Sequence, residues 1–104
     1  KVMIRVIYEF EVVPGKEDQL EQAWREIVEA HAGEGALESI LAFDPEAEDG
    51  QNRFVAISRW RSRQHWEEGR RDDAAPDAYE RFHDAVEVLS RRVLQERATL
   101  RADE

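Results

Sequence analysis

The stretch Asn52-Arg-Phe-Val-Ala-Ile-Ser-Arg-Trp-Arg-Ser-Arg-Gln-His-Trp66 decides the fold, because a strand-like run passes in it without a gap into a capped helix. Phe54, Ala56, Ser58 and Trp60 alternate with Val55, Ile57 and Arg59. Both sets hold apolar members, so this strand is expected inside a sheet and covered on both faces. Ser62 then stands at the N-cap position, where its hydroxyl accepts from a backbone N–H two or three residues on, and Arg70 and Arg71 suit the negative helix end.

Upstream, residues 36–44 form a second strand, with Leu37, Leu41 and Phe43 on one side and Ile40 and Ala42 on the other. The polar connection at 45–52 contains Asp49-Gly50 and reads as the exposed hairpin loop that joins the two. Its acidic cluster lacks the oxygen-ligand spacing and terminal glutamate of a calcium loop. Residues 2–13 alternate Ile4, Val6, Tyr8, Phe10 and Val12 with Arg5, Ile7, Glu9, Glu11 and Val13, which gives a strongly apolar face for helices and a mixed one. Pro14-Gly15 breaks that strand. Leu20, Ala23, Trp24, Ile27, Val28 and His31 then recur at helical spacing until Gly33 and Gly35.

Downstream, Pro76 is placed to begin a new helix after the break at 72–75. Tyr79, Phe82, His83, Val86, Leu89 and Val93 make its apolar face, and the weak alternation of Ala98 and Leu100 reads as a short edge strand. The order of strand, helix, two strands, two helices and a weak strand is the ferredoxin-like split βαβ plan, α+β, with helices on one face of an antiparallel sheet. Residues 1–104 are one domain. The other face, with Ile7, Val13, Ile40, Val55 and Ile57, is partly apolar and calls for a second copy of the chain to cover it.

With 24 Asp+Glu against 15 Lys+Arg the net charge is −9, which repels phosphate backbones and anionic membranes, so neither nucleic acid nor membrane is an expected partner. No apolar run approaches the roughly 20 residues that span a bilayer, and a cytoplasmic location is expected. The absence of cysteine removes thiolate nucleophiles, disulfides and thiolate metal sites. Glu80 and His83 make one Glu-x-x-His pair, short of the two pairs a di-iron bundle needs, and no metal is expected. Tyr8, Trp66, Tyr79, Phe82 and His83 are aromatic or amphipathic and can converge between one strand and two helices as a pocket. His31, on the buried stripe, either caps its own helix end or contacts a ligand there.

Val12-Val13-Pro14-Gly15-Lys16-Glu17 with Leu20 and Trp24, and Ile57-Ser-Arg-Trp60-Arg-Ser62 running into His65 and Trp66, resemble the antibiotic biosynthesis monooxygenase family over roughly residues 2–95. The resemblance implies a dimeric α+β barrel, a homodimer whose sheets pack face to face and whose subunits each hold a pocket between sheet and helices. The function it implies is that of a cofactor-independent monooxygenase oxidising a small phenolic or quinol compound, with no cofactor. A haem-binding or haem-degrading protein and a non-catalytic dimeric binding protein are the alternatives. Haem-degrading relatives carry asparagine at the place of Tyr8 and tryptophan at that of Gly69, while His83 matches a haem-ligating histidine of that branch. A histidine of many members falls at Ala75, and His65 matches one found in some quinol-oxidising relatives. On the leading reading His83 is the general base that takes the substrate proton, and Tyr79 or Trp66 orients the ring. Tyr8, His65, Phe82 and His31 are the substrate-binding candidates. A closed core, with no cavity beside Tyr8, Tyr79 or His83, would support a dimeric scaffold without catalysis, in which these residues simply fill space.

Overall fold

β1 (Ile4–Val12) runs through the interior of the sheet in the computed structural model, which describes residues 2–70 and 74–102. Along the chain follow α1 (Glu17–Ala30), β2 (Ala36–Phe43), β3 (Arg53–Trp60), α2 (Arg63–Gly69), α3 (Pro76–Ala85) and β4 (Val86–Gln95). The sheet order is β2-β3-β1-β4 and every neighbouring pair is antiparallel, which is the ferredoxin-like α+β arrangement. The 52–60 stretch thus lies inside the sheet, as its two-sided apolar content requires.

Period-two alternation assigns the faces. Ile4, Val6, Tyr8 and Phe10 lie opposite Trp60, Ser58, Ala56 and Phe54, so these eight share the side that the helices cover. Leu20 and Ala23 of α1, Trp66 of α2, and Ala78 and Ala85 of α3 are buried over them. Each large apolar side chain so enclosed contributes about 1.5–3 kcal/mol. The core divides into a group around Ile4, Val6, Trp60 and Trp66 and a group around Phe10, Val12, Leu20 and Ala85, with Tyr8 packed against both. Between these groups the helix-facing positions of β2 and β3 include Ser39, Ser58 and Ala56, too small to fill the space beneath the helices.

The opposite face of the sheet carries Ile7, Ile40, Val55 and Ile57, as expected, whereas Val13 lies beyond the end of β1. Charged groups pair at its two ends. Arg59 donates to both oxygens of Glu96 at 2.7 and 2.9 Å and Arg5 joins at 3.1 Å. At the other end Arg53 stands 3.4 Å from Glu9 and 3.6 Å from Glu11.

Three expectations are corrected. The last helix does not run on through Val86, Leu89 and Val93: it stops at Ala85, whose carbonyl accepts from the Val13 N–H at 2.8 Å, and Val86 begins β4. The free edge of β1 pairs with that segment, satisfying backbone groups a longer helix would have left bare. The tail around Ala98 and Leu100 is accordingly no strand. Finally, a register shift between Ala36 and Glu38 sets Ala36 opposite Trp60, so Leu37 leaves the alternation of Leu41 and Phe43. Arg71, Asp72 and Asp73 lie outside the described residues. Among the described residues no helix is long and apolar enough to cross a membrane.

Candidate functional site

Where the helix-facing side of β3 falls from Phe54 to Ala56 and Ser58 before rising again at Trp60, a cavity of about 680 Å³ opens between sheet and helices. Small-molecule sites span roughly 300–1,000 Å³. Tyr8 stands on its floor, His31 borders it at the end of α1, Trp66 enters from α2, and Tyr79, Phe82 and His83 enter from α3. The structure therefore brings together six of the seven sequence-designated residues.

Local sequence explains how His31 is held. Its backbone N–H caps α1 on the carbonyls of Ile27 and Val28, both at 3.2 Å, which leaves the imidazole for other partners. Gly33 and Gly35 have φ of +86° and +91°, a backbone region that costs other residues about 1–2 kcal/mol. This double reversal turns Glu34 back over the helix end, and its carboxylate meets His31 Nδ1 at 2.7 Å. The other ring nitrogen, Nε2, lies 2.8 Å from the Tyr79 hydroxyl. An ionised carboxylate can only accept, so Nδ1 bears the proton; neutral His31 then accepts at Nε2 and Tyr79 donates to it. The His31 side chain is only 8% exposed, yet the Glu34 side chain is 49% exposed. A carboxylate–imidazole–phenol chain therefore runs from the surface to the cavity wall.

His83 lies beside this chain rather than in it. Its ring stacks on Tyr79 with centroids 6.4 Å apart and meets Phe82 edge-on at 5.6 Å, and the residue is exposed. Tyr8 stacks on Phe10 at 6.0 Å and Phe82 packs edge-on against the same ring. Trp66 is 3% exposed, and the guanidinium groups of Arg70, Arg91 and Arg63 lie 4.8, 5.3 and 5.8 Å from its ring centroid. Arg63 is paired with Glu67 at 3.0 Å; Arg70 and Arg91 have no carboxylate partner among the described residues.

His65 is the candidate that the fold sets apart. Its Nδ1 is 2.6 Å from the Ser62 hydroxyl and its ring packs on Gly35, so close that a Cβ there would stand 2.5 Å from Cδ2. It faces a second pocket of about 360 Å³, shared with Glu34, Arg61 and Glu68. Gly69 is buried against Trp60: a Cβ at this position would lie 2.7 Å from the indole. A larger residue at this position, as haem-degrading relatives carry, would have to displace the Trp60 indole. Among the described residues no group of three metal-ligating side chains occurs.

Glu34, Arg70 and Arg91 were not among the sequence-designated residues. The signal for Glu34 lies in Gly33-Glu34-Gly35, two turn-forming glycines around an acid three residues after a buried-stripe histidine. Nothing comparable marks Arg91, whose position over Trp66 depends on β4 pairing beside Tyr8.

The fold is shared with solved proteins of low sequence identity. SnoaB, a cofactor-independent oxygenase from Streptomyces nogalater, superposes with a TM-score of 0.76 at 15% identity, covering 96% of this chain and 98% of its own. A putative antibiotic biosynthesis monooxygenase from Chloroflexus aurantiacus gives 0.74 at 17% identity over 94% and 96% of the two chains. Another from Caulobacter crescentus gives 0.70 at 16% identity over 96% and 92%. No curated protein sequence matches the chain. The sequence profile of the family described as antibiotic biosynthesis monooxygenase matches residues 3–85, and with four-fifths of its length inside that match the chain belongs to this family.

Proposed function

We propose that the protein is a cofactor-independent monooxygenase that oxidises a small phenolic or quinol compound. The observation that carries this reading is a cavity of small-molecule size whose wall presents Tyr79 hydrogen-bonded to a buried histidine and stacked on a second one. A closed core, the condition for a purely structural role, is not what these residues form. The family's description and the likeness to SnoaB, named a cofactor-independent oxygenase, support the same class.

The chemistry follows from ionisation. A phenol bound flat between Trp66 and the Tyr79–His83 stack loses its proton to the histidine-bearing wall, and the phenolate is electron-rich enough to pass an electron to dioxygen without a bound cofactor. Arg70, in the cavity lining with its charge over Trp66, stabilises the anion as it forms. His83 and Trp66 orient the ring, while Tyr8 and Phe82 supply apolar contact. Oxygen uptake with a panel of quinols and naphthols tests the reading. Catalysed uptake with at least one of them is expected, and rates equal to buffer across the whole panel would end it.

The protein acts in this proposal as a homodimer joined through the helix-free sheet face. Arg5, Arg53 and Arg59 on that face are already paired within the subunit, which leaves the row of Ile40, Ile57 and Ile7 for an identical surface.

A further inference from the structure

We infer that the substrate proton leaves the cavity through Tyr79 into His31, with Glu34 holding the charge that results, so that Tyr79 is the catalytic residue and His31 and Glu34 act through it. The inference deepens the oxygenase reading and rests on it only for the identity of the phenol.

Three observations carry it. The contacts at 2.7 and 2.8 Å are continuous from Glu34 Oε2 through both ring nitrogens of His31 to the Tyr79 hydroxyl, a residue 48 positions away in sequence. In neutral His31 the Glu34 contact fixes the proton on Nδ1 and leaves Nε2 as an acceptor for the hydroxyl of Tyr79, a residue of the cavity lining. And the two ends open onto different spaces: Tyr79 onto the 680 Å³ cavity, Glu34 onto the smaller polar pocket beside His65. A structural hydrogen bond needs none of this polarity. Burial of the imidazole keeps water from short-circuiting the chain, and the half-exposed carboxylate gives the proton a way out.

The step balances without a co-reactant. The substrate O–H breaks as its proton joins the Tyr79 oxygen, the original Tyr79 proton passes to His31 Nε2, and the imidazolium sits against the Glu34 carboxylate. Substrate phenolate and imidazolium carry equal and opposite charge, and Glu34 is unchanged. The net transfer runs from a phenol, with an intrinsic pKa of about 10, to an imidazole of about 6.5, and the Glu34 carboxylate against the imidazolium and the Arg70 charge beside the cavity offset that gap. The arrangement is the acid–imidazole–hydroxyl logic of hydrolytic triads, with a phenol as the outer group. Among the described residues His83, exposed, makes ring contacts with Tyr79 and Phe82 and has no hydrogen-bond partner to receive charge.

The test uses 4-nitrophenol, yellow only as its phenolate, at a pH where the free compound is mostly protonated. Wild-type protein is expected to bind it as the phenolate. Tyr79→Phe and His31→Gln should lower the phenolate fraction of bound ligand by about tenfold or more, the equivalent of one pKa unit, with Glu34→Gln between. Tyr79→Phe keeps the ring, and Glu34 is at the surface, so these two variants read the relay even if the buried His31→Gln fails to fold. In His83→Gln ionisation should persist although binding weakens. Wild-type protein that leaves the ligand unbound or protonated overturns the relay, as does loss of ionisation in His83→Gln alone. Ionisation without oxygen uptake on any quinol keeps the relay and removes the oxygenase reading. Oxygen uptake undiminished in Tyr79→Phe does the reverse.

Discussion

Glu96 shows how much one side chain can hold. It lies just past β4, half-buried, and receives hydrogen bonds from Arg59, Arg5 and Thr99, so it ties β1 and β3 to the chain's last described segment. The Arg59 hydrogen bonds are the main reason its carboxyl is held down from the ordinary 4.5 to about 2, with Thr99 and Arg5 adding to the effect and partial burial opposing it. A depressed carboxyl pKa stabilises the fold above the unfolded value and loses that contribution as pH falls through the folded one. Thermal melts should therefore show Glu96→Gln less stable than wild type at pH 7, with the gap closing between pH 4.5 and about 2. A gap independent of pH would assign the stability to packing instead. At the same scale the Gly33-Glu34-Gly35 turn was legible as a turn, but that it aims a carboxylate at His31 was not, because the aim depends on where α1 ends.

Among the elements, α2 is the clearest product of its own sequence. Ser62 accepts from the His65 N–H at 3.1 Å while its hydroxyl meets His65 Nδ1 at 2.6 Å, so one residue both starts the helix and fixes the ring that covers the loop before β2. Ser62→Ala is expected to cost about 1 kcal/mol of stability in denaturant unfolding. Ser62→Asp, which keeps an acceptor for the N–H, should recover most of it; equal losses in both would deny the cap its role. The α3–β4 junction is the opposite case. Val86, Leu89 and Val93 sit at helical spacing, yet Val86, Val88 and Val93 are also β-branched, and the open edge of β1 settles which property counts. The misplaced boundary matters for function, since it leaves His83 three residues from the start of a strand, near the rim, rather than midway along a helix.

At the scale of the whole molecule, the helix-free face of the sheet is an uncovered apolar surface. Ile40, Ile57 and Ile7 stand in register across β2, β3 and β1 on the helix-free face, with Ala42 and Val55 in the adjacent row, and Ile40 is 45% exposed. Covering this row with its counterpart in a second copy, in an interface of about 2,000 Å² or more, is the proposed assembly. Light scattering at micromolar concentration should give twice the chain mass of 12.1 kDa, and Ile40→Asp with Ile7→Asp should return it to the single-chain value while lowering the melting temperature. A wild-type protein that scatters as one chain would sink the proposal. Because this face lies across the sheet from the cavity, the double variant tests assembly without touching the residues that line the catalytic wall.

By itself the sequence determined the elements whose signals are local: two alternating strands around Asp49-Gly50, the Ser62 cap, the start of α3 at Pro76, and through them the α+β class. Alternation and capping act over a few residues, so they survive any choice of neighbours. The tertiary structure alone decided that residues 86–95 pair as a strand, that the small side chains of β2 and β3 meet no large partner and leave a cavity, and that His31 finds Tyr79. Each of these depends on what a distant segment places opposite, which period and propensity do not encode.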